Sequence, residues 1–162
     1  MPKKECVDLI AKLGQFKTWV VDYDNTLTTA HDNPAVCAFD VVSNAPQLAV
    51  NTFNSEKTHK VCCTDPDLVK MGFCPNGKCR VKPEHWAYRR GNDIVLDGKK
   101  MGTWDDYGVK ARALKKMGLS ASNTVFLDDL RSNVDPAVEG GFSAVKVDGR
   151  SGVNNNAEFI DP

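Results

Sequence analysis

The sequence has no excess of charge of either sign. Across 162 residues it carries 21 Lys+Arg and 21 Asp+Glu. Nothing global therefore argues for nucleic acid or an anionic membrane as the default partner. Long apolar runs are also missing. None approaches ~18 residues, so no transmembrane helix and no membrane partner are expected. The first residues are charged and lack the apolar stretch and cleavage site of a signal peptide. Internal repeats and low-complexity tracts are absent. The chain is thus expected in a reducing, cytoplasmic setting. Its six cysteines then read as thiols or metal ligands rather than a disulfide frame.

What is present is one domain's worth of chain with two stretches of the same design. Trp19, Val20 and Val21 form an apolar run that ends in Asp22 and Asp24, with Thr26 behind them. Thr124 to Leu127 form a second run that ends in Asp128 and Asp129, with Asn133 four residues on. A buried strand delivering carboxylates at its C-terminal end reads this way. In open α/β sheets ligands sit just outside those ends. Two such acid pairs brought together repel, and a hard divalent cation such as Mg²⁺ relieves the repulsion through oxygen ligands.

Strands and helical stripes alternate along the chain, which argues for a parallel sheet with helices on both faces. Cys6, Leu9, Ile10 and Leu13 mark a first amphipathic helix stopped at Gly14. Asn33 and Pro34 start a second, over 34–45. Residues 47–52 are the next strand, and a helix from Ser55 to about Cys63 is expected after it. Trp86, Tyr88, Ile94 and Leu96 flank Gly91 and Asn92, a two-residue hairpin signal. Val109, Ala113, Leu114 and Met117 form another helical stripe. A helix over 131–139 and a strand over 142–147 follow. The fold class expected is α/β, a doubly wound, Rossmann-like parallel sheet. The core spans 1–150 with a small inserted hairpin and loop region at 64–98. Residues 151–162 form a C-terminal tail without periodicity.

Asp22, Asp24, Thr26 and Leu27 on one side, with Asp128, Asp129 and Asn133 on the other, resemble the first and fourth motifs of the haloacid dehalogenase superfamily. The nearest resemblance is to its small magnesium-dependent phosphatases, over about residues 17–148. That resemblance implies a haloacid dehalogenase-type sheet and a Mg²⁺-dependent phosphomonoester phosphatase working through an aspartyl-phosphate. Asp22 would be the nucleophile and Asp24 the acid and base. Mg²⁺ would be held by Asp22, by Asp128 or Asp129, and by a backbone carbonyl, that of Asp24. The second motif is a Ser or Thr that binds the transferring phosphoryl group. Thr52 fits it, with Asn54 assisting, and is preferred to Ser43 because the connection from Thr28 to Ser43 is too short for a full helix. The third motif is a lysine near the start of a helix. Lys100 is chosen, and Lys99 and Lys110 stay open. Caps inserted between the second and third motifs control access, so the small one at 64–98 implies an open site. The partner would be a phosphorylated substrate: a small molecule, a phosphoprotein or a nucleic-acid end. The oligomeric state stays open.

Cys62, Cys63, Cys74, Cys79, His59 and His85 lie close enough in sequence to suggest a structural Zn²⁺ site. Free or buried thiols are the alternative, because the spacing does not repeat a pair of turn cysteines. Two other functions remain open. A receiver-like phospho-aspartate signalling module uses similar residues, but with its acid pair first and its acceptor later. A catalytically weak protein of the same fold that only binds a metal or a partner is the third.

Overall fold

The computed structural model describes residues 1–162. The first helix, α1 (Val7–Leu13), buries Leu9 and Leu13 and ends at Gly14. Strand β1 (Thr18–Val21) is buried along its whole length. Helix α2 (Ala38–Asn44) follows a long connection. It starts later than the Asn33 and Pro34 signal implies, because Pro34 instead bridges Thr28 in a short antiparallel contact. Strand β2 (Gln47–Asn51) comes next. The helix expected from Ser55 does not form beyond a single turn of 3₁₀ at His59–Val61. The Asn54 side chain accepts the N–H groups of Glu56 and Lys57. That bonding closes a local turn that no α-helix extends.

Helix α3 (Pro66–Lys70) is capped by Asp65, whose side chain accepts from the N–H groups of Asp67 and Leu68. Strands β3 (Trp86–Arg90) and β4 (Asp93–Leu96) make the expected hairpin around Gly91 and Asn92, with Arg90 opposite Asp93. A strand that sequence periodicity did not signal, β5 (Lys99–Thr103), pairs with β4 across Asp97 and Gly98. Both turn residues take positive φ, as a tight two-residue hairpin turn requires. Helix α4 (Val109–Lys116), strand β6 (Thr124–Asp128), helix α5 (Arg131–Glu139) and strand β7 (Ser143–Lys146) follow. The terminal stretch is no free tail. Val153 is fully buried, and β8 (Glu158–Ile160) pairs antiparallel with β7.

The eight strands form one sheet in the order β5-β4-β3-β2-β1-β6-β7-β8. Neighbouring strands from β3 to β7 are parallel, β4 and β8 run antiparallel to them, and β5 pairs antiparallel with β4. The sheet is thus mixed and mostly parallel, a correction to an all-parallel expectation. Residues 86–96, read as part of an insertion, are strands of this same sheet. Alternate residues of β1 enter two cores. Trp19 and Val21 pack with α1, α2 and α3, while Val20 packs with α4 and α5. Helices therefore cover both faces, as period-two alternation in a central strand demands.

The cysteines all pair: Cys6 with Cys37, Cys62 with Cys79, and Cys63 with Cys74. This overturns both the thiol reading and the zinc proposal for Cys62, Cys63, Cys74, Cys79 and His85. A sulfur in a cystine has no thiolate to give a metal. His59 is occupied by the Val81 carbonyl at 2.9 Å. His85 is buried, and burial lowers its pKa. Free thiols were expected because a reducing, cytoplasmic setting was, and the three disulfides speak against that setting. No helix is long and apolar enough to cross a membrane.

Candidate active site at the carboxyl ends of β1 and β6

Chain direction reverses at the centre of the sheet. From β1 the chain moves outward on one side through β2 and β3, then returns to the other side of β1 as β6. The carboxyl ends of β1 and β6 lie side by side at this switch point, where α/β sheets place ligands. The register sets Val21 against Leu127, and the Asp22 N–H donates to the Leu127 carbonyl at 3.0 Å. Asp22 and Asp128 must therefore meet.

They meet on a lysine. Lys110 Nζ donates to Asp22 Oδ1 at 2.9 Å and to Asp128 Oδ2 at 2.7 Å. Lys110 sits in the first turn of α4 and is 1% exposed. Its backbone is tied to β2, because Asn51 Nδ2 donates to the Lys110 carbonyl at 2.9 Å. Its ammonium also lies 4.5 Å from the centre of the Phe53 ring. Burial alone would lower the Lys110 pKa, but the charges of Asp128 and Asp22 outweigh it and hold the ammonium above the ordinary lysine value.

The acids are held in different ways. Asp22 Oδ2 accepts from the Thr26 hydroxyl at 3.1 Å. Asp128 Oδ1 accepts from the Leu130 N–H at 2.9 Å, and Asn133 Nδ2 lies 3.3 Å from both Asp128 oxygens. Asp129 is only half-buried. Burial, and then the Asp128 charge, push the Asp22 carboxyl well above the ordinary carboxylate range against the pull of Lys110. The same two causes, in the same order, push Asp129 up to about 6. Three carboxylates face one ammonium, so the centre is short of positive charge. Asp22, Asp128 and Asp129 each place an oxygen within 4.8 Å of the others, and no other set of His, Cys, Asp or Glu side chains does so. An all-oxygen, electron-rich donor set of this kind fits a hard divalent cation.

Asp24 stands at the rim. The turn 23–28 carries it back over the strand end, with Asn25 at φ 60°, a left-handed conformation that Asn tolerates. Asn54 Nδ2 donates to both Asp24 oxygens, at 3.1 and 3.3 Å. This aims Asp24 without neutralising it. The cleft between these groups has a volume of about 160 Å³ and is lined by Asp22, Asp24, Lys110 and Asp129, with Phe53 and Leu130 as its apolar walls.

The structure thus brings together Asp22, Asp24, Asp128, Asp129 and Asn54. Lys100 is a correction. It lies exposed on β5 and pairs with Asp93 at 3.2 Å, and Lys99 beside it is exposed too. The lysine at the acids is Lys110. The sequence did contain a signal for it, since Lys110 stands three, four and seven residues before Ala113, Leu114 and Met117. A lysine on the buried stripe of a helix needs a buried partner. Ser43 is exposed on α2 and donates to the Phe39 carbonyl. Thr52 is fully buried beyond the end of β2, and its hydroxyl accepts the Asn54 N–H at 3.0 Å. Phe53, rather than Thr52, lines the cleft. Phe53 and Asn133 had no assigned role in the sequence reading. No protein-family model matches the chain, and no curated protein matches it.

Proposed function

We propose that this chain is a Mg²⁺-dependent phosphomonoester phosphatase, with the doubly wound fold of the haloacid dehalogenase superfamily that its motifs resemble. The observation that carries the proposal is the buried Asp22–Lys110–Asp128 group beside Asp129, with Asp24 held at its rim. Asp22, Asp129 and the more tightly tethered Asp128 would hold the cation. When bound, Mg²⁺ would favour the ionised form of Asp22 and screen it from the phosphate. Asp22 then attacks phosphorus, the ester P–O bond breaks, and the leaving oxygen takes the proton of Asp24. In the second half Asp24 takes a proton from water. The resulting hydroxide attacks phosphorus, the Asp22–phosphorus bond breaks, and inorganic phosphate leaves. Lys110 holds positive charge beside Asp22 throughout, where phosphoryl transfer needs it. The Asn54 amide keeps Asp24 directed at the cleft.

Phosphate release from a generic aryl phosphate, with and without Mg²⁺, tests the proposal. Release should need the metal and disappear in Asp22→Asn. Undiminished release by Asp22→Asn would sink it, and a long-lived phospho-aspartate without release would point to a receiver-like module. The three cystines fit an oxidising compartment. Alkylation of the native protein, expected to label no cysteine without prior reduction, tests that part.

A further inference from the structure

A second cleft of about 360 Å³ adjoins the acid cleft and shares Phe53, Leu130 and Asn133 with it. Its far end is built by the 104–108 segment, which leads into Lys110. Trp104 and Tyr107 stand there, 42% and 69% exposed, and Leu130 is 48% exposed. Large apolar side chains gathered around one cleft call for an occupant. The platform is also held ready. The Trp104 N–H donates to the Asn92 carbonyl at 2.9 Å, and the Arg89 guanidinium stacks 4.7 Å from the centre of the Trp104 ring. The rim is polar. Asp105 and Asp106 line it with carboxylates that each accept from Thr103. A carboxylate has further acceptor capacity after one such bond.

We infer that this cleft binds the base of a nucleotide whose phosphate lies at Asp22, so that the substrates are nucleoside monophosphates. The inference rests on the phosphatase reading for the position of the phosphate. The residues shared with the acid cleft form the near end, while the exposed rings belong only to the far end. A ring stacked on Trp104 must therefore be separated from phosphorus by a spacer, which a ribose supplies and a phenyl ester does not. The acidic rim matches the exocyclic amine of adenine or cytosine. Base–aromatic stacking accounts for a preference on the order of tenfold to a hundredfold.

Two measurements test this. The first is kcat/KM for adenosine 5′-monophosphate against ribose 5-phosphate and phenyl phosphate. The nucleotide should lead both by about tenfold or more. Trp104→Ala should collapse that ratio and Trp104→Phe should restore most of it. The second is quenching of tryptophan emission by adenosine, which has no phosphate to hydrolyse. Trp19 and Trp86 are each 1% exposed, so quenching reports Trp104 and should vanish in Trp104→Phe. Quenching with no hydrolysis of any phosphate would keep the base site and remove the phosphatase reading. Hydrolysis without quenching would do the reverse. Equal kcat/KM for the nucleotide and ribose 5-phosphate, or a Trp104-dependent preference for phenyl phosphate, overturns the base site.

Discussion

The acid centre and the loop region that faces it, residues 53–85, are held by opposite means. The centre hangs on β1 and β6, two strands buried along their whole length. Its polar groups are few, buried and mutually dependent. The loop has little regular structure and contributes only short helical turns and α3. It is tied by Cys62–Cys79 and Cys63–Cys74. Arg80 adds two bonds at the end of α2, to the carbonyls of Val42 and of Ala45 just past the helix. Lys57 bridges Asp65 and Asp67. Where a sheet supplies burial, charge can be concentrated and held in place. Where no sheet does, covalent links and ion pairs take over. Asn54 joins the two, with its side-chain oxygen in the loop turn and its nitrogen on Asp24.

The sharpest way to break this contrast is at Lys110. Lys110→Met leaves Asp22 and Asp128 buried without their cation. Removing one partner of a buried pair costs about 3–5 kcal/mol. Urea unfolding should show a loss of that order, partly recovered by Mg²⁺, together with loss of phosphate release. Lys100→Met, at the exposed site, should stay within about 0.5 kcal/mol. The loop should respond next. Cys62 and Cys79 are 17 residues apart, and opening a loop of that size costs about 3 kcal/mol by chain entropy. The double alanine variant should lose about that much in the same assay and keep its acid centre.

Asn54→Ala tests the link between the regions. It frees Asp24 while leaving Asp22 and Lys110 in place, so kcat should fall about tenfold, less than the roughly hundredfold or more that outright loss of an acid–base group costs. A change confined to KM would show that Asn54 serves binding instead. The smallest effect concerns the Lys57–Asp65 bridge. Burial would raise the Asp65 carboxyl, but bonds from Lys57 and the Leu68 N–H outweigh it and hold the group below its ordinary 3.8. A depressed carboxylate contributes stability above its unfolded value, and that contribution is lost as pH falls through the folded one. Thermal midpoints of the native protein should therefore drop more steeply below about pH 4 than those of Asp65→Asn.

Much of the centre was legible because its signals are local. An apolar run ending in acids reads as the carboxyl end of a buried strand, and it was the pair of such runs that pointed to one site. The Gly91–Asn92 hairpin and the Leu9/Leu13 stripe of α1 were readable for the same reason. The edges were not. β5 is made of Lys99, Lys100, Met101, Gly102 and Thr103, which carry no strand period. It forms because β4 offers an unpaired edge. β8 likewise exists by pairing with β7. Thr52 was expected as the last residue of its strand and lies one residue past it, and its hydroxyl is engaged by the Asn54 turn.

The sequence by itself determined that acids end two apolar strands, that strands and helices alternate, and that the net charge is balanced. Each of these is carried by neighbours in the chain. Only the tertiary structure decided which lysine meets the acids, how six cysteines pair, and which strands close the sheet. Six cysteines allow 15 pairings, and the helical stripe that sets Lys110 apart from Lys99 and Lys100 marks it as buried without naming its partners. What separates them is which side chains the sheet and its crossovers bring within bonding distance, at separations of 88 residues for Lys110 and Asp22 and 31 for Cys6 and Cys37. Burial then selects the partner, because a charge removed from water must find its opposite or not be buried at all.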